Sequence, residues 1–232
     1  MKFNIKDYTA TKCFTVYSEN YYKCPIKADE ETKEGIWKSR EDWNEQGIPS
    51  LKRLDLFYTQ ALHQNQLYFD TCQRYIDENP DCRTHGMPPL QENVSHRHIG
   101  KTVCGIYSRE TDEFVGWDMS KVIYREYHNL FIAMLPDKRN QGVAREIEIA
   151  GGKYVFTILD FELTRTTIPV REKNENRILE VGVGFNTKEE EFLDRGYPIQ
   201  YGEVIVTRDS FTYWLESSPE KDHYFDYVDH WS

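Results

Sequence analysis

Apolar positions change their spacing near residue 100, and that change organises the chain. From Leu51 onward Leu54, Tyr58, Ala61, Leu62, Phe69, Cys72, Tyr75 and Ile76 recur at three- and four-residue steps, the period of one helix face. Ser50 is a good N-cap for that helix, and Asn79-Pro80 stops it, because proline lacks the N–H and disfavours helix before it. Gln64, Asn65 and Gln66 interrupt the stripe and predict a kink or a break into two helices. Before it, Phe14 to Tyr17 reads as a strand. Glu30 to Trp43 is a charged stretch that Trp37 and Trp43 anchor, ended by Gly47 and Pro49. Residues 80–98 contain three prolines and Gly86 and read as a loop.

Beyond Lys101 the period is that of strands. Thr102 to Tyr107, Phe114 to Tyr124 and Asn129 to Leu135 form a predicted antiparallel meander, with a polar turn at Glu110 to Glu113. A helix follows from Val143, with Ala144, Ile147, Tyr154, Ile158 and Phe161 as its apolar face. Gly151-Gly152 weakens it by roughly 1 kcal/mol per glycine relative to alanine. Thr166 to Val170 reads as a strand, Asn176 to Val181 as a short helix, and Glu203 to Thr207 and Ser210 to Leu215 as closing strands. The tail is acidic and aromatic, with Tyr224, Phe225, Tyr227 and Trp231. No internal repeat or low-complexity tract is present.

Composition narrows the partners. In 232 residues, 39 Asp and Glu outnumber 29 Lys and Arg, for a net charge of −10. A globally acidic chain is a poor binder of nucleic acid or anionic membrane. The five cysteines include no C-x-x-C pair, which fits a reducing compartment rather than a disulfide framework. No signal-like apolar segment opens the chain, and no run approaches the ~20 apolar residues of a membrane span. A cytoplasmic location is expected. Cys82, His85, His96 and His98 match no standard zinc spacing, so no metal is expected.

The chemistry concentrates at Pro136-Asp137-Lys138-Arg139-Asn140-Gln141-Gly142-Val143-Ala144, between an apolar strand and a helix. A helix N-terminus presents backbone N–H groups that have no acceptor within the helix, and with the helix dipole these suit a phosphate or pyrophosphate. Gly142 allows close backbone approach, Ala144 keeps the first turn slim, and Lys138, Arg139 and Arg145 add positive charge. On residue types alone the same segment also reads as an ordinary strand-to-helix turn.

This stretch resembles motif A of the GNAT (Gcn5-related N-acetyltransferase) superfamily, Arg/Gln-x-x-Gly-x-Gly/Ala, with Arg139, Gly142 and Ala144 in its three positions and Pro136 where members often carry proline. The flanks are similar too. Val115-Gly116-Trp117 looks like the apolar-Gly step of the family's middle strand, and Asn174 and Gly184-Phe185 look like the Asn and Gly-Phe beyond the motif helix. The resemblance spans about residues 100–216.

It implies an α+β fold: a mixed, mostly antiparallel sheet of six or seven strands flanked by helices, with a helical N-terminal extension. It also implies one domain over 1–232, with residues 1–98 an enlarged helical part, 100–216 an acyl-CoA-binding core and 217–232 a tail. By the same resemblance Phe131, Ile132, Ala133, Met134 and Leu135 pair with the pantetheine arm of acetyl-CoA (acyl-CoA). Arg139, Asn140, Gln141, Gly142, Val143 and Ala144 hold the pyrophosphate, and Asn174 assists. The two strands after motif A are expected to splay and open a V-shaped cleft for the cofactor, with Pro169 in one of them.

The implied reaction is transfer of an acyl group to an amine by direct attack, with a polarising backbone N–H from the Phe131–Met134 strand. Two departures bear on catalysis. Glu180 occupies the position of the family's acidic Tyr, and Asn129, beside His128, that of a Glu used as base by some members. The catalytic residues are therefore unknown. His128 reads either as a base or as a strand-edge histidine, and Asn174 also suits a helix cap. A GNAT-fold interaction module without chemistry, or a nucleic-acid-modifying enzyme of the kind phages carry, are the alternatives. The net charge weighs against the second.

Overall fold

A computed structural model of the chain describes residues 15–39, 51–78, 101–123, 126–158, 163–169, 188–194 and 197–217. Its centre is one sheet of eight strands among the described residues: β1 (Val16–Tyr17), β2 (Tyr21–Pro25), β3 (Lys101–Ser108), β4 (Phe114–Ile123), β5 (Glu126–Met134), β6 (Leu163–Pro169), β7 (Lys188–Asp194) and β8 (Tyr197–Thr207). The order is β1-β2-β3-β4-β5-β6-β8-β7. All neighbours are antiparallel except β5 and β6, which run parallel and need a crossover. The helix from Val143 supplies it.

The α+β architecture expected from the sequence is therefore present, with differences in detail. The N-terminal region is not only helical: it contributes β1 and β2 to the sheet as well as two helices, α1 (Glu30–Lys38) and α2 (Leu51–Glu78). Asp29 caps α1, its carboxylate accepting from Thr32 N–H at 2.7 Å, and Glu30 and Glu31 favour the positive end of the dipole. The predicted break in α2 does not occur. Asn65 is buried, donating from Nδ2 to the Val103 carbonyl at 2.7 Å and accepting from Val103 N–H at 2.9 Å. It pairs with β3 as a neighbouring strand residue would, just beyond the last β2 pair at Pro25 and Cys104. A polar residue interrupts the apolar stripe there because the helix docks on backbone.

Ser210 to Leu215, read as a strand, belongs to a helix, α4 (Arg208–Ser217). Thr207 and Ser210 exchange bonds across its first turn, Ser210 Oγ accepting from Thr207 N–H at 3.0 Å and Thr207 Oγ1 accepting from Ser210 N–H at 3.2 Å. This is a capping arrangement, and it outweighs the strand propensity of the aromatic residues that follow. Asn174, the short helix at 176–181, Gly184-Phe185, Trp43, the Cys82/His85/His96/His98 loop and the acidic tail lie outside the described residues.

The sheet separates two cores. On one face α1 and α2 cover Ile26, Ile36, Tyr58, Ala61, Val103, Tyr107, Phe114 and Trp117. On the other lies α3 (Val143–Lys153), burying Val143 and Ile147 against Ile106, Val115 and Met134. A bulge at Val115, between the pairs Ile106–Gly116 and Tyr107–Phe114, puts Phe114 and Trp117 on one face although they are three residues apart. Gly116 follows the bulge, and a Cβ there would meet the Ala133 carbonyl oxygen at 2.6 Å. Only glycine lets β4 and β5 approach so closely.

Candidate functional site

The site grows from two irregularities in β5. The first is a bulge: Met119 pairs with Phe131 and Ser120 with Asn129, leaving Leu130 as the extra residue. The second is a divergence. β5 and β6 pair from Glu126–Leu163 to Asn129–Thr166 and no further. β6 continues against β8, Thr167 with Glu203 and Pro169 with Tyr201, while β5 continues against β4 to Met134. From Leu130 to Met134 the edge of β5 that faced β6 has no strand partner among the described residues. The bulge and the opening coincide, and Pro169 lies in the diverging part of β6.

Side chains fix this strand from both sides. Met134 is buried and Ile132 partly buried on the α3 face, while Ala133 and Leu135 pack on the other. Leu135 N–H reaches the Val115 carbonyl at 2.9 Å. Side chains hold the strand from both faces.

The strand runs into a 3-10 turn (Pro136–Lys138) and then the loop that opens α3. Asn140 at φ 61° and Gly142 at φ 82° are both left-handed. Alternating hands in a short loop turn successive N–H groups to one side, the geometry that cradles anions. Gly142 is exposed, and a Cβ there would meet nothing within 4 Å. The first helical bond runs from Glu146 N–H to the Gly142 carbonyl at 2.9 Å, so the amides of Val143, Ala144 and Arg145 have no acceptor within the helix. Val143 itself is buried in the core beneath α3.

No protein-family model matches the sequence, and no curated protein sequence matches it. Solved structures do. A GNAT-family acetyltransferase from Bacillus anthracis aligns at TM-score 0.54 and 11% identity, over 84% of this chain and 99% of that one. A spermidine N-acetyltransferase SpeG chimera from Vibrio cholerae and hSSAT aligns at 0.54 and 14%, over 84% and 99%. A GCN5-related N-acetyltransferase from Brucella melitensis aligns at 0.53 and 11%, over 92% and 88%. The chain has the GNAT fold.

Within this GNAT fold the charged side chains of the loop engage the protein itself. Arg139 turns inward: Nε donates to the Met134 carbonyl at 3.3 Å and Nη2 to the Ser39 carbonyl at 2.9 Å. Lys138 leans on Asp137 at 3.8 Å, and Gln141 Nε2 donates to the Asp137 carbonyl.

Asn129 is the last residue of β5 paired to β6, directly before the bulge. His128, one residue earlier, pairs with Lys121 and Arg165 and is half-buried, on the face of β5 opposite Tyr127.

One cluster near the site escaped the sequence reading. Lys23 and Asp118 form a buried ion pair at 2.5 Å beneath α3, with side chains 7% and 1% exposed. Tyr127 Oη lies 3.4 Å from Lys23 Nζ, and Thr102 Oγ1 lies 3.2 Å from Ser120 Oγ. Asp118 Oδ1 is buried without a hydrogen-bond partner. Burial pushes the Asp118 carboxyl up, against the pull of Lys23. Desolvation would depress the Lys23 ammonium, but Asp118, Tyr127 and Cys104 together outweigh it, so its pKa stands well above the ordinary value. The available signal was an aspartate between Trp117 and Met119 in an apolar strand. Among the described residues no group of His, Cys, Asp or Glu is arranged to hold a metal, and no helix is long and apolar enough to cross a membrane.

Proposed function

We propose that the chain is a single-domain acyl-CoA-dependent N-acyltransferase that moves an acyl group, acetyl in the first instance, from CoA to an amine. One observation carries this reading: the β5 edge from Leu130 to Met134, without a strand partner among the described residues, leads through the Pro136–Lys138 turn into the left-handed Asn140–Gly142 loop at the start of α3. An extended pantetheine arm completes the open edge as a strand would, and the pyrophosphate takes the loop amides. Phe131 to Leu135, Asn140 to Ala144 and, from the sequence, Asn174 are the residues assigned to the cofactor. Arg139 serves it indirectly.

The chemistry follows from that placement. A neutral amine attacks the thioester carbonyl, and the new C–N bond forms as the oxygen gains charge. A backbone N–H at the β5 opening stabilises that oxygen. The C–S bond then breaks, the thiolate leaves, and the nitrogen loses its proton. Asn129 is no base, so proton removal is assigned to water. The acidic surface favours a cationic acceptor.

Calorimetric titration of acetyl-CoA and CoA into the full chain tests the reading, with micromolar binding expected. Gly142→Trp fills the open space above the loop and strains a left-handed position, and is expected to abolish binding while far-ultraviolet circular dichroism stays native. Unchanged affinity in the folded variant overturns the placement. Binding without turnover over an amine panel favours the interaction module, the reading that Asn129 and Glu180 at the family's base and acid positions support.

A further inference from the structure

Ser39 joins three parts of the molecule that are distant in sequence. It is the C-cap of α1, its N–H donating to the Gly35 carbonyl at 2.9 Å. Its hydroxyl donates to the Ile36 carbonyl at 2.7 Å and accepts from Trp117 Nε1 of β4 at 2.9 Å. Its own carbonyl accepts from Arg139 Nη2 at 2.9 Å. Ser39 is 1% exposed, so these bonds are shielded from competing water.

Arg139 completes the connection from the other side. Its guanidinium bridges the Ser39 carbonyl and the Met134 carbonyl, the latter on the last residue of β5. The planar fork spans two acceptors at once, and lysine has no such fork. It also places a positive charge at the C-terminal, negative end of the α1 dipole. One residue beyond it the backbone turns left-handed at Asn140. The orientation of the anion loop and the last turn of α1 are thus set by the same side chain.

We propose that Arg139 is a positioning residue that ties the cofactor loop to the C-terminal turn of α1 through the Ser39 carbonyl, so that CoA binding and the order of that turn are coupled. This rests on the assignment of the loop to CoA. A pyrophosphate seated on the amides following Arg139 restrains the loop, the restrained loop holds the guanidinium, and the guanidinium holds the end of α1. Linkage makes the effect reciprocal: a firmer α1 turn raises CoA affinity by the factor with which CoA firms the turn.

Hydrogen exchange read by mass spectrometry on the full chain, with and without saturating CoA, tests the proposal on a peptide spanning residues 30–39. In the wild type, CoA is expected to slow exchange at the α1 C-terminal amides by roughly 5-fold or more. Arg139→Lys keeps the charge but loses the bridge. It is expected to exchange faster without CoA, to bind CoA more weakly, and to lose the CoA-dependent slowing. A merely structural Arg139 would raise exchange equally with and without CoA and leave the slowing intact, and that result overturns the proposal. Wild-type chain that binds CoA by calorimetry but shows no change at residues 30–39 overturns it too, while the CoA assignment stands. Folded wild-type chain that binds no CoA removes the assignment and the coupling together. Ser39→Ala, which keeps the carbonyl and loses the Trp117 bond, is expected to retain part of the slowing.

Discussion

The two faces of the sheet are held by different physics. Under α1 and α2 the core is aromatic, with its polar atoms bonded: Tyr107 to Thr32 and Lys27, Trp117 to Ser39, Tyr58 to the Lys27 and Asp29 carbonyls, Asn65 to Val103. Under α3 the core is aliphatic near the Asn140–Gly142 loop, then gives way to Lys23, Asp118 and Tyr127, with one carboxylate oxygen of Asp118 unpaired. Neutral bonds on the first face can be lost one at a time, each leaving a small deficit. Removing half of a desolvated ion pair leaves a charge where water cannot reach it. The first face is a scaffold tolerant of single losses, whereas the second concentrates its risk in one pair.

The largest expected effect lies on the α3 face. Asp118→Ala leaves the Lys23 ammonium buried beside the Tyr127 hydroxyl without a countercharge, and is expected to lower stability by about 3–5 kcal/mol. Urea midpoints at constant slope measure it. The informative companion is Lys23→Met with Asp118→Val, which removes both charges. It is expected to recover most of the loss, since a buried pair replaced by apolar side chains is often neutral or stabilising. A double variant no more stable than Asp118→Ala would show that the pair does something other than compensate its own burial, and would break the contrast between the faces.

The next effect tests the first face where a side chain serves backbone. Asn65→Leu removes both bonds to Val103 and leaves the buried Val103 N–H without a partner, while the Val103 carbonyl keeps its bond from Ile26 N–H at 3.1 Å. The expected cost is about 2 kcal/mol, within the range for unsatisfied buried polar groups and below that of Asp118→Ala. A cost equal to that of Asp118→Ala would erase the distinction between neutral and ionic burial.

Legibility in the sequence followed the same division. The helical stripe of α2, the meander β3–β5 and the turn into α3 were readable because local rules agree there: period, turn residues and a glycine at a left-handed position. Asn65 misled because its partner, Val103, lies 38 residues away and no local pattern announces it. β7 went unread because Lys188-Glu189-Glu190-Glu191 carries no apolar alternation; its pairing with β8 supplies the order. α4 was misread because Phe211, Thr212, Tyr213 and Trp214 favour strands. In the helix Phe211 is buried against Phe156, while Tyr213 is 74% exposed. At the site, the loop was visible as a motif, but neither the Leu130 bulge nor the inward turn of Arg139 was. Both depend on partners across the sheet.

The smallest expected effect sharpens the comparison most, because it changes one oxygen atom. Tyr107 is buried, stacked on Tyr22 with ring centroids 5.3 Å apart and edge-on to Phe114 at 5.7 Å, with Lys27 Nζ 4.1 Å from its ring centre. Its hydroxyl accepts from Lys27 N–H at 3.1 Å and lies 3.0 Å from Thr32 Oγ1. Tyr107→Phe keeps the ring contacts and the cation over the ring, and deletes only the hydroxyl. Lys27 N–H is partly exposed, so water can replace the lost acceptor there. Thr32 is 1% exposed and loses a partner outright. The expected cost is about 1 kcal/mol, and adding Thr32→Val is expected to cost little more, since it removes the orphaned hydroxyl. If Tyr107→Phe instead matches the loss at Asp118, the aromatic face holds its order through that single hydroxyl, and the tolerance assigned to it is wrong.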